Sequence, residues 1–173
     1  MLTETICEDP RWEEARLAQL AEQAGQAVLA HLGHDPAVFE IAVLGCDDAR
    51  IAVLNADFRD KPTPTNVLSW PTWDLSAEEA GEPPEAPEPG TEDDPEALGD
   101  LALAFETCAR EAAAQDKQFS AHVTHLCIHG ILHLLGYDHI REEDAVLMEG
   151  VEVEILKGFG ISDPYDDAAR SAG

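Results

Sequence analysis

The chain has 173 residues, 45% of them apolar, and this length and composition favour one globular domain over two domains or a disordered chain. No run of about 18 apolar residues is present, so we expect no transmembrane helix, and the N-terminus lacks the basic and apolar regions of a secretory signal. A formal net charge of −26 argues against nucleic-acid binding through a basic surface alone.

Two helices and a strand are predicted before the first proline-rich segment. Apolar side chains recur at helical spacing over residues 10–33, and Gly33 is placed to end that helix. Residues 38–45 alternate and then run apolar, which is typical of a strand. Asp47 or Asp48 is a suitable cap for the short helix that follows.

The middle of the chain becomes strongly acidic. After the connector RDKPTPT, the residues NVLSWP predict a short strand that Pro71 stops. Residues 74–97 are rich in Glu, Pro, Gly and Ala and have no periodic apolar face, which predicts an acidic, mobile insertion. Such a segment is normally a solvated loop, and a regulatory or partner-binding role is the alternative.

The C-terminal part predicts a strand followed by three helices. The strand covers residues 98–105, and the helices cover 106–117, 120–136 and 142–157, with Ser120 as the N-cap of the second helix. The whole chain is therefore predicted to form a single compact α+β domain, with about four strands and about five helices that pack on one side of the sheet. The cysteines have no CxxC spacing and are expected to be reduced, buried thiols: Cys7, Cys46, Cys108 and Cys127.

Residues 125–139, HLCIHGILHLLGYDH, carry the strongest chemical signal. His129 and His133 are four apart on a predicted helix, so both imidazoles project from one face and can bind one metal ion. Gly136 permits a left-handed turn that brings His139 back to the same ion. Three imidazoles leave one tetrahedral position open for water, as in hydrolytic rather than structural sites. Such ligands favour Zn over Mg or Ca, with copper, nickel and iron as alternatives.

Four neighbouring residues have less certain roles. His125 lies one turn before His129 and could orient a ligand, contact substrate or cap the site, and the orienting role is favoured. His122 lies off this face and is expected at the surface, while Cys127 points to another face of the helix. Asp138 could hold an imidazole by a hydrogen bond or stabilise the turn.

Gly130 argues against one class of hydrolase. The spacing H-x-x-x-H-x-x-G-x-x-H also occurs in metzincin proteases, which need Glu directly after the first histidine as general base. Glycine cannot take a proton, so peptide hydrolysis by that mechanism is disfavoured.

A second cluster, LNADFRDKPTPTNVLSWP, covers residues 54–71. Arg59 and Lys61 are two of only ten basic residues, and three hydroxyl side chains follow them. Arg59 could bind phosphate oxygens and stabilise charge in a transition state, or it could form a surface ion pair.

The two clusters together resemble the YbeY endoribonucleases, a family of metal-dependent rRNA maturation factors found across bacteria. HGILHLLGYDH matches the family motif nearly letter for letter, and LN…FR…PT-VLS-P and the LGD at 98–100 follow the order and spacing of the family. The resemblance covers residues from about 38 to 158. Asn66 and Trp70 depart from the frequent family pattern PTDVLSFP, and Asn66 leaves no carboxylate there to assign as general base.

The resemblance implies a mixed sheet flanked by helices, with His129, His133 and His139 as ligands of one zinc ion. Arg59 matches an arginine that the family requires beside the metal cleft, and His125 is a further candidate for proton transfer. The implied activity is hydrolysis of single-stranded RNA in small-subunit rRNA maturation and ribosome quality control, in the cytoplasm, with the ribosome, ribosomal proteins or assembly factors as partners. The acidic insertion would repel RNA over the cleft or guard the cleft against non-specific RNA.

Two other classes of function stay open. A non-catalytic or partner-dependent ribosome-assembly factor would use the metal site for recognition, and the net charge of −26 would attract a basic ribosomal protein. Such a factor would bind metal without cleaving naked RNA. A zinc hydrolase of a small molecule or peptide is disfavoured by Gly130, and its activity would be unaffected by competing RNA.

Overall fold

A four-stranded mixed sheet organises the protein. The computed structural model describes residues 2–59, 65–162 and Pro164, with the backbone alone for residues 57–59. No helix in these described parts is both long and apolar enough to cross a membrane. The strands and helices follow one another in this order: β1 (Thr3–Cys7), α1 (Arg11–Glu14), α2 (Leu17–Leu32), β2 (Phe39–Cys46), α3 (Asp48–Arg59), β3 (Val67–Pro71), β4 (Glu96–Ala104), α4 (Phe105–Ala114), α5 (Phe119–Leu134) and α6 (Glu142–Gly158).

The strands lie in the order β1-β2-β4-β3, which confirms the expected α+β class and the mixed sheet. β1, β2 and β4 are parallel, while β3 runs antiparallel to β4 with Leu68 opposite Ala102. Strand β1 was not predicted from the sequence. This strand is only five residues long and lies at the edge of the sheet, so it carries no continuous apolar pattern, and Ile6 within it is exposed.

Both faces of the sheet are covered, and this corrects the expectation that the helices pack on one side. Along β2, Phe39, Ile41 and Val43 face the main core, which lies under α2, α5 and α6. On the other face of the sheet, Cys46, Leu68, Ala102 and Ala104 form a smaller core, and Ile51 of α3 packs against them. The described residues therefore contain six helices rather than about five, and one of them lies alone on the second face.

The helix predicted over residues 10–33 is interrupted. Arg16 adopts a left-handed backbone with φ of 60°, and this residue separates α1 from α2. Trp12 and Leu17 are five residues apart, so one straight helix would point their side chains in different directions. The interruption lets both side chains become fully buried in the main core.

Helix α5 crosses the sheet and positions the histidine-rich segment. It begins at Phe119, because Gln118 is the extended N-cap residue, and Ser120 therefore lies inside the first turn rather than at the cap. Gly130 permits close packing on the sheet, since a Cβ atom at this position would lie 2.8 Å from Leu101 Cδ2. Position 130 thus packs closely against β4, and the chain has no carboxylate there.

The acidic segment over residues 74–95, all of them described, contains neither helix nor strand. It is attached to the start of α6. Arg141 donates hydrogen bonds to the carbonyls of Ala77 and Glu78 at 2.8 and 3.0 Å, and Asp144 accepts one from a backbone N–H of the segment at 2.9 Å. The mobility of this segment stays a prediction, and these contacts define where it lies.

Candidate metal centre

Three histidines meet where α5 ends. His129 and His133 lie on the last turns of α5, and His139 lies in the turn that follows. One ligand nitrogen from each of the three lies within 4.8 Å of the others, and the Nε2 atoms of His129 and His133 are 3.0 Å apart. The structure therefore brings together the three histidines that the sequence motif singled out, in an arrangement that could hold one metal ion.

The turn after α5 depends on glycine and on one aspartate. Gly136 has a φ of 98°, and a Cβ atom there would lie 2.7 Å from the backbone of Leu75. Asp138 accepts hydrogen bonds from the backbone N–H groups of His139 and Ile140 at 2.6 and 3.1 Å. Of the two roles left open for Asp138, the structure shows turn stabilisation.

Hydrogen bonds at Nδ1 orient two of the three rings. The Nδ1–H of His129 donates to Glu152 Oε1 at 2.6 Å, and the Nδ1–H of His133 donates to the carbonyl of Tyr137 at 2.9 Å. A proton on Nδ1 leaves the lone pair of Nε2 free for a metal ion. The donor set therefore fits a metal ion, because the free nitrogens of both rings point to the same place.

Glu152 is the residue of this site that sequence reasoning missed. Its side chain is fully buried on α6, and its second carboxylate oxygen accepts a hydrogen bond from His125 Nε2 at 3.0 Å. A buried carboxylate is tolerated only when charged or hydrogen-bonding partners satisfy it. Glu152 accepts hydrogen bonds from two imidazoles. The available signal was an acidic residue in line with apolar Met148 and Leu156, on the buried face of the last helix.

His133 is held neutral by its surroundings. Burial, together with the neighbouring imidazoles of His129 and His139, lowers its pKa from the usual 6.5 to about 4. Neutral imidazole is the form that binds a metal ion, so this histidine is prepared to act as a ligand at neutral pH.

The prediction that His122 lies at the surface is wrong. Its side chain is only 4% exposed, because the face of α5 away from the three histidines packs against α4. His122 Nε2 lies 2.9 Å from Glu111 Oε1, and Asn66 Nδ2 donates to the same oxygen at 3.0 Å. Asn66 is therefore part of a hydrogen-bond network with Glu111 and His122. Cys127 is also buried, and it lies outside the histidine cluster.

The side chain of Arg59, the predicted phosphate-binding residue, lies outside what the structure describes. The backbone of Arg59 ends α3, and Lys61 of the same cluster lies outside the described residues. Of the three hydroxyl residues in this cluster, Thr65 and Ser69 are described, and Ser69 lines a groove beside the histidines.

This groove has a volume of about 520 Å³ and runs along His133 and His139. It is lined by residues at and after the end of β3, including Trp73, and by residues of the turn after α5, including Ile140. The volume lies within the usual range for small-ligand sites, so the groove could hold part of a substrate next to a bound ion.

Comparisons with known proteins agree with the motifs. A sequence model of the family described as endoribonuclease YbeY matches residues 4–160. The endoribonuclease YbeY of Ruegeria pomeroyi is 59% identical over 166 residues, covering 95% of this chain and 98% of that protein. The endoribonuclease YbeY of Cereibacter sphaeroides is 58% identical over 164 residues, with 95% and 98% covered.

A solved structure supports the fold. The solution structure of a Thermotoga maritima protein matches with a TM-score of 0.53 at 20% identity, covering 95% of this chain and 99% of that one. This likeness shows the fold alone. The family model and the full-length relatives go further and confirm the resemblance that the two sequence clusters indicated. The chain belongs to the endoribonuclease YbeY family.

Proposed function

We propose that this protein is a metal-dependent endoribonuclease that cleaves single-stranded RNA in the cytoplasm, in maturation of small-subunit rRNA and in ribosome quality control. The observation that carries the proposal is the convergence of three histidine nitrogens beside a groove, in a chain that belongs to the YbeY family. The endoribonuclease name of relatives more than 50% identical over nearly the full length supports the same activity here.

In this proposal His129, His133 and His139 hold one zinc ion. Three imidazoles without a fourth protein ligand among the described residues match the ligand set of a catalytic rather than a structural zinc site. When bound, zinc in such a site supplies Lewis-acid chemistry and lowers the pKa of a water molecule near it.

The residues of the chain then have separate tasks. Glu152 and the Tyr137 carbonyl hold the rings of His129 and His133 in the tautomer that keeps Nε2 available. Arg59 is proposed to bind phosphate oxygens and to stabilise the charge that develops on them. The hydrogen bond from His125 to Glu152 supports a positioning role for His125, and proton transfer by His125 stays a prediction.

The first experiment is cleavage of a short single-stranded rRNA fragment by the zinc-loaded protein. We expect cleavage by the natural chain and none by His129→Ala, which loses one proposed ligand. Equal cleavage by both proteins would indicate a contaminating nuclease and would remove the support for the proposal.

The role of Arg59 is tested by Arg59→Ala. We expect the metal content to stay unchanged and turnover to fall by about 10²-fold, the usual effect of losing one transition-state hydrogen-bond donor. Unchanged turnover would make Arg59 a structural residue.

A second candidate function is a partner-dependent ribosome-assembly factor. The net charge of −26 favours it, because a basic ribosomal protein would be attracted to so acidic a chain. In this case the natural chain would bind metal, leave naked RNA intact, and need its partner for any effect on rRNA.

A further inference from the structure

The described walls of the groove offer little attraction to phosphate. Asp74 and Asp138 line it, and neither lysine nor arginine occurs among the described lining residues. Nucleic-acid binding usually relies on cations that neutralise phosphates. Contacts from these described walls to RNA would therefore be made to its bases and sugars more than to its phosphates.

Trp73 offers such a contact. Its side chain is 55% exposed, whereas Trp12 is completely buried. The indole N–H of Trp73 donates a hydrogen bond to Glu96 Oε1 at 2.8 Å, and the backbone just before it is fixed because Thr72 donates to the Leu98 carbonyl at 3.0 Å. The ring is thus held by its edge at the groove while much of its surface stays open to solvent.

The turn after α5 supplies a second exposed apolar side chain to the same groove. Ile140 is 86% exposed and lines the same groove, directly after His139. The backbone N–H of Ile140 donates to Asp138 at 3.1 Å, so the position of this residue is also defined. Two large apolar side chains left in water along one groove are typical of a surface that contacts a ligand.

We propose that Trp73 is a stacking platform for one nucleobase of the RNA substrate, beside the phosphodiester that lies at the three histidines. This inference rests on the proposed function. An indole face stacks on any base, so the contact gives affinity without sequence preference. It also favours single strands, because a base must leave its own stack and pair before it can reach the ring.

The test uses zinc-loaded natural chain, Trp73→Ala and Trp73→Phe with a short single-stranded rRNA fragment. We expect Trp73→Ala to raise KM roughly tenfold or more with little change in kcat, the effect of losing one base–aromatic stack. Trp73→Phe keeps a ring and should recover most of the affinity. Ile6→Ala is the matched control, because Ile6 is an exposed apolar residue of β1 that does not line this groove.

A second set of substrates separates stacking from a structural effect. One base at a time is removed from the RNA fragment, leaving the backbone intact. For the natural chain, one abasic position should raise KM by about the same factor as Trp73→Ala, roughly tenfold. For Trp73→Ala, that position should have no further effect, because the partner of the base is already gone.

The outcomes separate this inference from the proposed function. Cleavage by the natural chain with an unchanged KM for Trp73→Ala would overturn the stacking role and leave the nuclease assignment intact. An equal abasic penalty in both proteins would also overturn it. Absence of cleavage by the natural chain, with zinc bound, would overturn the proposed function and this inference with it.

Discussion

Two histidine–carboxylate pairs on different faces of helix α5 use opposite ring nitrogens. His129 donates from Nδ1 to Glu152, while His122 contacts Glu111 through Nε2. Nε2 is the ring nitrogen farther from the backbone. Pairing at Nδ1 therefore leaves the outer nitrogen of His129 free for an ion. Pairing at Nε2 occupies the outer nitrogen of His122 and leaves its Nδ1 buried, without a hydrogen-bond partner among the described residues.

His125 provides the intermediate case. It shares Glu152 with His129, yet it contacts the carboxylate through Nε2 and lies outside the histidine cluster. A carboxylate near a histidine is thus not enough to identify a metal ligand. For His129 and His125, which share Glu152, the difference is the ring nitrogen that the carboxylate occupies, and only His129 keeps Nε2 available for an ion.

The largest expected effect would come from exchanging a histidine of the cluster for alanine. We expect His129→Ala to lose bound zinc on gel filtration, because two imidazoles hold the ion far less firmly than three. His122→Ala should retain zinc, since its ring takes no part in the cluster. Metal analysis of both proteins measures this. Loss of zinc from a folded His122→Ala protein would contradict the distinction between the two faces.

Glu152→Gln tests whether the hydrogen bond from His129 to Glu152 contributes to zinc binding. Glutamine has the same shape but no charge, so the His129 ring should be oriented less firmly, and zinc affinity should fall about 10–100-fold. Competition with a chelator measures the affinity. Glu154→Gln is the matched control, because Glu154 is an exposed residue of the same helix that contacts only Lys157 among the described residues. Equal affinities in the two variants would assign Glu152 a packing role alone.

Asn66→Asp tests the network on the other face. The amide of Asn66 donates to Glu111, so aspartate would replace a hydrogen bond with a second carboxylate. We expect the free energy of unfolding to fall by about 1–2 kcal/mol at neutral pH, as for other lost hydrogen bonds at partly buried sites. Denaturant unfolding at equal zinc loading measures the change. Adding Glu111→Gln to Asn66→Asp should restore most of the lost free energy of unfolding. If the double variant is no more stable than Asn66→Asp alone, repulsion between the two carboxylates is not the cause of the loss.

The smallest expected effect is a pH dependence at His122. Burial lowers the pKa of His122 below its usual 6.5, while Glu111 opposes this shift only in part because a third of its side chain is exposed. The unfolded chain therefore takes up a proton at higher pH than the folded one, so stability falls as the pH drops below about 6.5. Unfolding free energies of the natural chain and His122→Asn between pH 7 and 5 measure this. If the free energy of unfolding falls with pH no more steeply in the natural chain than in His122→Asn, then His122 does not contribute to the pH dependence.

Local sequence determined most of the metal centre and much of the fold. Helical periodicity places His129 and His133 on one face, and Gly136 permits the turn to His139, so the cluster follows from residues close in sequence. Helix α5 and most other elements were predictable within a few residues for the same reason. The YbeY motifs also lie within such local segments, which is why they indicated the family.

Only the tertiary structure decided which residues support the cluster. Glu152 is 23 residues from His129 in sequence and reaches it because α6 packs on α5. His122 is buried because α4 covers its face of α5, and β1 forms only because β2 offers it an edge. Periodicity reports which side of a helix is apolar, whereas the choice of nitrogen at each histidine depends on a partner that another helix brings to it.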